Sequence, residues 1–271
     1  MRQSKTINDC LLVARRALPS PEAELLTAMA LGTDRSTLYA FPERAVPDGT
    51  VERHEDWLAR RINGEPFAYL SGKKEFWGLN LVVCSGVFIP RPETETLIEC
   101  ALPLINRDST ALDLGTGSGA IALALARETK ANLTAEDVRT ECIDLCRLNA
   151  DRLGLQMTIG PSDWFGGISS KFDLIVSNPP YIAAGDPHFE RDGLAFEPRV
   201  ALCGGEDGLE AIRTIVTEAP SYLRVRGNLI IEHGHDQAEK VTDLFEEAGF
   251  TEIRNSRDIA GTLRVCIGTR P

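Results

Sequence analysis

The sequence predicts an α/β fold, a doubly wound sheet of seven strands preceded by a small all-α domain and a β-hairpin. Three features point there: helical periodicity without strand signals from Ile7 to about Leu70, a dense β-like run at residues 76–83, and then short apolar runs alternating with helical stretches. A length of 271 residues admits one large unit or two of unequal size, and the change of pattern selects two. The boundaries fall as a helical domain over 1–72, a hairpin linker over 73–90 and a larger α/β domain over 91–271.

In the helical part, Ile7, Leu11, Leu12, Ala14 and Leu18 form one apolar stripe, and Pro19-Ser20-Pro21 breaks the chain before a second helix over 22–31. Gly32, Phe41-Pro42 and Pro47-Asp48-Gly49 supply further stops; a charged helix over 51–62 carries Trp57 and is closed by Asn63-Gly64-Glu65-Pro66. Four or five short helices result. Gly78 and Asn80 are the turn candidates of the hairpin. A helix over 93–104 then leads into strands at 111–114, 132–136, 156–160, 172–177 and 227–232, with helices at 120–127 and 236–248 and a closing strand pair near 251–254 and 263–268.

With 43% hydrophobic and 25% charged residues the chain can bury a proper core, which excludes a disordered tail protein. A net charge of −11 and a pI near 5.0 argue against a broad nucleic-acid face, since such binding is mostly phosphate neutralisation by clustered Lys and Arg. Apolar runs are too short to span a bilayer, and the start, Met1-Arg2-Gln3-Ser4-Lys5, leads into an amphipathic stretch and not an apolar secretion signal. The expectation is a cytoplasmic protein without membrane contact. Seven cysteines without a CxxC pair fit neither a disulfide framework nor a zinc ribbon; Cys142 and Cys146, at i, i+4, read as small buried residues on one helix face. His233 and His235 lack a third ligand at metal-like spacing, so no metal is expected.

The segment Asp113-Leu114-Gly115-Thr116-Gly117-Ser118-Gly119 sits where a buried strand turns into a helix. Alternate glycines let the backbone turn tightly and approach a ligand, and a helix N-terminus aims amide donors at it. Asp137 ends the next strand, where a carboxylate takes both hydroxyls of an adenosine ribose. This arrangement serves NAD and S-adenosylmethionine alike, and Gly115, Gly117 and Ala120 also fit the dinucleotide pattern. Strand alternation points Glu136 away from Asp137, which makes Asp137 the ribose partner and Glu136 scaffold.

Asn178-Pro179-Pro180-Tyr181 follows the apolar strand 172–177 directly, at the carboxyl end where open α/β sheets bind ligands. The prolines stiffen the segment and remove donors, leaving the Asn178 side-chain oxygen and the Pro179 carbonyl to receive both N–H groups of a planar NH₂. A tetrapeptide of this form after a glycine-rich loop resembles the class I S-adenosylmethionine-dependent methyltransferases that modify adenine, cytosine or glutamine nitrogens. An amide nitrogen is a poor nucleophile. Holding both its hydrogens, with Tyr181 stacked on the amide plane, aims it at an already activated methyl group, so Asn178, Pro179 and Tyr181 are the expected catalytic positions.

Further blocks resemble one family. Gly64-Glu65-Pro66, Ala68-Tyr69-Leu70-Ser71-Gly72, Glu75-Phe76-Trp77, and Ile89 to Glu95 are similar to the region ahead of the catalytic domain in the release factor glutamine methyltransferases, PrmC or HemK. Ser162-Asp163-Trp164-Phe165, Phe196-Glu197-Pro198, Glu232-His233-Gly234 and Arg257 to Gly261 continue the match. The resemblance implies methyl transfer to the N5 amide of the glutamine in the Gly-Gly-Gln segment of class 1 peptide chain release factors, by a monomer whose helical domain docks the substrate. It also implies that Asp113, Gly115, Thr116, Gly117, Ser118, Gly119, Asp137, Trp164 and Asn178 meet the cofactor, with Trp164 beside the adenine. The substrate is then held by Asn178, Pro179, Pro180, Tyr181, Arg91, Glu93 and Glu197. Residues 187–198 form a long irregular stretch suited to substrate contact. Glu136 stands where relatives usually carry an apolar residue.

The same tetrapeptide serves adenine N6 methyltransferases of DNA or RNA and a sister enzyme acting on a ribosomal-protein glutamine. The former need a basic groove that the charge of −11 does not supply; the Glu75-Phe76-Trp77 and Arg91 to Glu95 blocks favour the release factor over the latter. A catalytically silent adaptor is the binding-module alternative, against which intact Asn178, Tyr181 and Asp137 count.

Overall fold

A computed structural model describes residues 4–190 and 193–271. Met1, Arg2 and Gln3 of the expected non-signal start, and Arg191 and Asp192 of the expected substrate loop, lie outside the described residues. The chain divides into two compact units, Met1–Gly72 and Lys73–Pro271.

The first unit is helical among its described residues: α1 Ile7–Ala17, α2 Ser20–Leu31, α3 Arg35–Ala40, α4 Asp48–Ile62 and α5 Phe67–Ser71. A capping box starts α1, with the Thr6 hydroxyl accepting from Asp9 N and the Asp9 carboxylate accepting from Thr6 N. α2 begins earlier than expected, because Pro21 falls in its first turn, where a missing N–H costs nothing. Leu26, Leu58 and Leu70 close one apolar cluster over Ala14 and Ala23. Glu24, at 7% exposure, receives Arg15, Arg35 and the Tyr39 hydroxyl.

The second unit opens with the hairpin β1 Lys73–Phe76 and β2 Leu79–Val82, followed by α6 Glu95–Ala101, β3 Thr110–Leu114, α7 Ala120–Thr129, β4 Asn132–Asp137, α8 Thr140–Leu153, β5 Thr158–Pro161, β6 Phe172–Ser177, α9 Glu210–Tyr222, β7 Leu223–Glu232, α10 Ala238–Glu247, β8 Thr251–Arg257 and β9 Leu263–Thr269. The sheet order is β5-β4-β3-β6-β7-β9-β8, parallel except for the pairs β7–β9 and β8–β9. This is the expected seven-stranded sheet with its antiparallel closing pair.

Two expectations change. Asn80 is not in the hairpin turn; it pairs with Glu75 inside the ladder, and Trp77-Gly78 alone make the turn, both at positive φ. Nor is the hairpin a free linker. Phe76, Leu79 and Leu81 are buried in the core cluster of α6, α7 and the sheet, and the Asn149 side chain on α8 bonds both Val82 N and Val82 O. Its apolar face belongs to the second unit's own core.

Candidate active site

β3 and β6 are neighbours at the middle of the sheet, yet the strand that follows each lies on opposite sides. Such a switch point opens a crevice at the carboxyl ends of the strands. The register pairs Leu114 with Ser177, so the segments leaving the two strands emerge side by side, and Ser177 Oγ donates to the Leu114 carbonyl at 2.8 Å. A cavity of about 620 Å³ lies over this seam.

The glycine loop forms one wall. Gly115 and Gly117 take φ of +71° and +57°, and a side chain on Gly117 would meet nothing, which leaves its backbone open to a ligand. Gly115 N and Thr116 N donate to the Glu136 carbonyl, each at 2.9 Å, and Gly117 N donates to Asp137 Oδ2 at 2.9 Å. Asp137 Oδ1 accepts from Arg139 N at 2.9 Å, so two amides fix a carboxylate that still has lone pairs for hydroxyl donors. The Glu136 carboxylate lies instead over Gly160 of β5, its Oε2 buried without a hydrogen-bond partner among the described residues, and burial raises its pKa.

Beneath the loop, Asp113 is fully buried and accepts from Thr116 Oγ1 at 2.7 Å and Ala122 N at 3.1 Å. Desolvation pushes its pKa up to about 7. The folded state therefore binds more protons than the unfolded one between 3.8 and about 7, and the stability that Asp113 contributes is fully present below 3.8 and lost as pH rises through that window. Asp113→Asn is expected to flatten the fall in stability across this interval. Urea unfolding at a series of pH values checks it, and an unchanged slope would count against the assignment.

Beside Gly115, Trp164 borders the cavity in the left-handed region at φ +49°, a conformation costing about 1–2 kcal/mol for an L side chain. Ser162 Oγ holds it there by donating to the Trp164 carbonyl at 2.6 Å and accepting from Gly167 N at 3.2 Å. The remaining wall is Asn178 to Tyr181. Asn178 Nδ2 donates to Thr94 Oγ1 at 3.1 Å, which turns Oδ1 away as the acceptor. The Tyr181 hydroxyl donates to Glu232 Oε1 at 3.2 Å, and its carbonyl accepts from Gln237 Nε2 at 3.0 Å.

A Methyltransferase small domain model matches residues 91–190 and a PrmC N-terminal domain model matches 6–72. The release factor glutamine methyltransferase of Pseudomonas aeruginosa is 46% identical over 268 residues, 96% of this chain and 97% of that protein. The chain belongs to the release factor glutamine methyltransferase family. The member from Vibrio cholerae is 43% identical, over 92% of this chain and 89% of its own. Among solved structures, a methyltransferase from Pyrococcus furiosus matches with a TM-score of 0.58 at 19% identity, over 80% of this chain and 98% of that one, and shares the fold.

Of the positions expected in this family's site, Arg91, Gly115, Thr116, Gly117, Ser118, Asp137, Trp164, Asn178, Pro179, Pro180 and Tyr181 border the cavity. Four do not. Asp113 at 0% exposure cannot touch a ligand and instead braces the loop. Gly119 caps α7 at φ +86°, where a Cβ would come within 2.7 Å of Cys146 Sγ; it serves packing, not contact. Glu93 lies off the cavity wall, in the short turn Pro92–Thr94. Glu197 is withdrawn from substrate: one oxygen receives Arg91 Nη2, the other Ile89 N at 2.9 Å, and its side chain is 1% exposed. It straps the segment around Ile89 and Arg91 to the loop ahead of α9.

Sequence reasoning missed Thr94, Gln237 and Gly208, and quoted Glu232 only as part of a family block. Thr94 lies inside the block at 89–95, but nothing local marks a hydroxyl whose partner, Asn178, lies 84 positions away. Gly208 gave a signal, the cluster Gly204-Gly205 and Gly208, whose missing side chains admit the carbonyls of Pro180 and Tyr181.

Proposed function

We propose that this chain transfers the methyl group of S-adenosylmethionine to the N5 amide of the glutamine in the Gly-Gly-Gln segment of class 1 peptide chain release factors. The observation that carries this is an outward-facing Asn178 Oδ1, set by the Thr94 bond, next to a glycine loop at the switch point of the sheet. Membership of the family supports the choice of substrate.

The residues fit the cofactor. The open Gly117 backbone, the Asp137 carboxylate and the buried Ser118 Oγ, which has no hydrogen-bond partner among the described residues, offer a cradle with acceptors and a spare hydroxyl. Asp137 would take the ribose and Trp164 the adenine. Once bound, S-adenosylmethionine supplies a methyl group activated on a sulfonium. Asn178 Oδ1 and the Pro179 carbonyl accept the two N–H groups of the glutamine amide, and Tyr181 covers its plane. The nitrogen lone pair is thereby directed out of conjugation and towards the incoming methyl. Positioning does the work, and the surplus proton leaves afterwards. The helical unit docks a remote part of the factor, and the enzyme works as a cytoplasmic monomer. No described helix is long and apolar enough to cross a membrane.

Incubation with methyl-labelled S-adenosylmethionine and an intact class 1 release factor is expected to label the Gly-Gly-Gln glutamine, with a Gln→Ala factor unlabelled. No transfer, or transfer that survives the Gln→Ala change, overturns the proposal. An isolated Gly-Gly-Gln peptide is expected to be the poorer substrate, and equal kcat/KM would remove the docking role.

A further inference from the structure

Pro179 and Pro180 have no N–H, so the stretch from Asn178 to Tyr181 cannot be tied to its surroundings through those two amides. The tie comes from Gln237, a buried side chain at the start of α10, 56 positions beyond Tyr181. Its Nε2 donates to the Tyr181 carbonyl at 3.0 Å and to the Gly208 carbonyl at 3.3 Å, and its Oε1 accepts from Gly234 N at 2.8 Å. Gly234 N can only donate and the two carbonyls can only accept. The carboxamide therefore has one orientation, with both Nε2 hydrogens spent on the segments around the cavity.

Three glycines make room for these bonds. A Cβ on Gly208 would sit 2.8 Å from Gln237 Nε2, one on Gly234 2.9 Å from Oε1, and one on Gly204 2.6 Å from the carbonyl oxygens of both Pro180 and Gly208. The root of the side chain is fixed as well. Val241 N donates to the Gln237 carbonyl, and Val241 and Phe245 of α10 are fully buried in the core. At the far end of Tyr181 the hydroxyl reaches Glu232 Oε1, where β7 ends. Carbonyl and phenol oxygen are thus held from the two ends of the turn between β7 and α10, which sets the axis of the Tyr181 ring.

We propose that Gln237 is a positioning residue for methyl transfer: through the Tyr181 carbonyl it holds the Tyr181 ring where it covers the substrate amide. This rests on the assignment of Tyr181 to the glutamine amide. Gln237 does not border the cavity, so it acts through the backbone that it holds. Without its donors the Tyr181 carbonyl is free to rotate and the ring tips off the amide plane; a misplacement of about 1 Å costs on the order of 10²-fold in rate.

Gln237→Leu keeps the bulk and removes all three bonds, whereas Gln237→Glu keeps the bond to Gly234 N and puts an oxygen in place of Nε2. With S-adenosylmethionine and intact release factor, both are expected to lower kcat by about 10- to 100-fold, with cofactor Kd and the KM for the factor within about threefold. In a Tyr181→Ala background, which has no ring to aim, Gln237→Glu is expected to cost less than about threefold more, the mark of two residues acting as one. Near-wild-type kcat in both single variants, or the full loss repeated in the Tyr181→Ala background, overturns the proposal. Where Gln237→Leu does not fold, Gln237→Glu alone decides.

A substrate-free readout separates this from the functional assignment. The tyrosines are Tyr39, Tyr69, Tyr181 and Tyr222. With fluorotyrosine incorporated, the Tyr181 fluorine resonance, identified by its loss in Tyr181→Phe, is expected to move or broaden in Gln237→Glu while the other three stay. Movement of all four shows a general loosening, and an unmoved Tyr181 shows a ring held without Gln237; either overturns the proposal. If wild type labels no release factor while Tyr181 alone moves, the function falls and the tether stands.

Discussion

Asn178→Ala is expected to reduce methyl transfer to release factor by about 10²–10³-fold, the loss seen when one preorganised hydrogen-bond partner of a reacting group is removed. Oδ1 is the acceptor that Thr94 orients towards the cavity, and alanine supplies none. One amide N–H then stays unheld and the nitrogen is free to rotate back into conjugation. Cofactor affinity should change little. The glycine loop is held from elsewhere, by Asp113 below, Asp137 alongside and Ser177 at the seam. Single-turnover transfer with saturating factor, next to calorimetric titration with S-adenosylmethionine, separates the two. A variant that keeps near-normal single-turnover rate would refute the acceptor role, and one that loses cofactor binding in proportion would relocate Asn178 to the cofactor.

Gly208→Ala is expected to damage stability and activity together. Gly208 stands at φ +76°, and a Cβ there would sit 2.4 Å from the Tyr181 carbonyl oxygen and 2.8 Å from Gln237 Nε2. Backbone cannot step aside as a flexible side chain can. The left-handed conformation costs about 1–2 kcal/mol for alanine and the overpacking about 1–3 kcal/mol more. A melt of the variant should fall by several degrees, at about 2–4 °C per kcal/mol for a unit of this size. Relief of the clash pushes the Tyr181 backbone towards the cavity, so kcat should fall well beyond what the remaining folded fraction explains. A variant with wild-type melting temperature and kcat would show that the segment after Asn178 yields freely.

The parallel strands were legible because each is a buried apolar run followed by a turn, and the switch point follows from strand order. Asn178 to Tyr181 and Gly115 to Ser118 were legible because chemistry and backbone geometry confine those residue types to strand ends. Asp113 and Gly119 were assigned to the ligand because they share that loop, yet burial turned both inward; sequence spacing carries no depth. Glu197 shows the same limit, since a carboxylate bound by Arg91 and Ile89 N looks in sequence like a free one. The bonds that orient the site run over long separations, Asn178 to Thr94 and Tyr181 to Glu232, and no periodicity in one segment announces them. β7 also begins at Leu223, ahead of its apolar stretch, because Leu223 pairs with Phe172 and, across a register shift, Arg226 N donates to the Arg270 carbonyl before regular pairing resumes at Asn228.

Asn149 gives the hairpin a meaning beyond packing. At 1% exposure, its side chain accepts from Val82 N at 2.7 Å and donates to both Val82 O and Ser118 O, at 3.0 and 2.9 Å. One amide thus stitches the hairpin's last strand to the glycine loop. The compact unit that holds both the hairpin and the loop starts at Lys73, ahead of Arg91, where the Methyltransferase small domain match begins. A deletion that ends at Val82 therefore strips Asn149 of two of its three bonds and loosens a glycine loop more than thirty residues downstream.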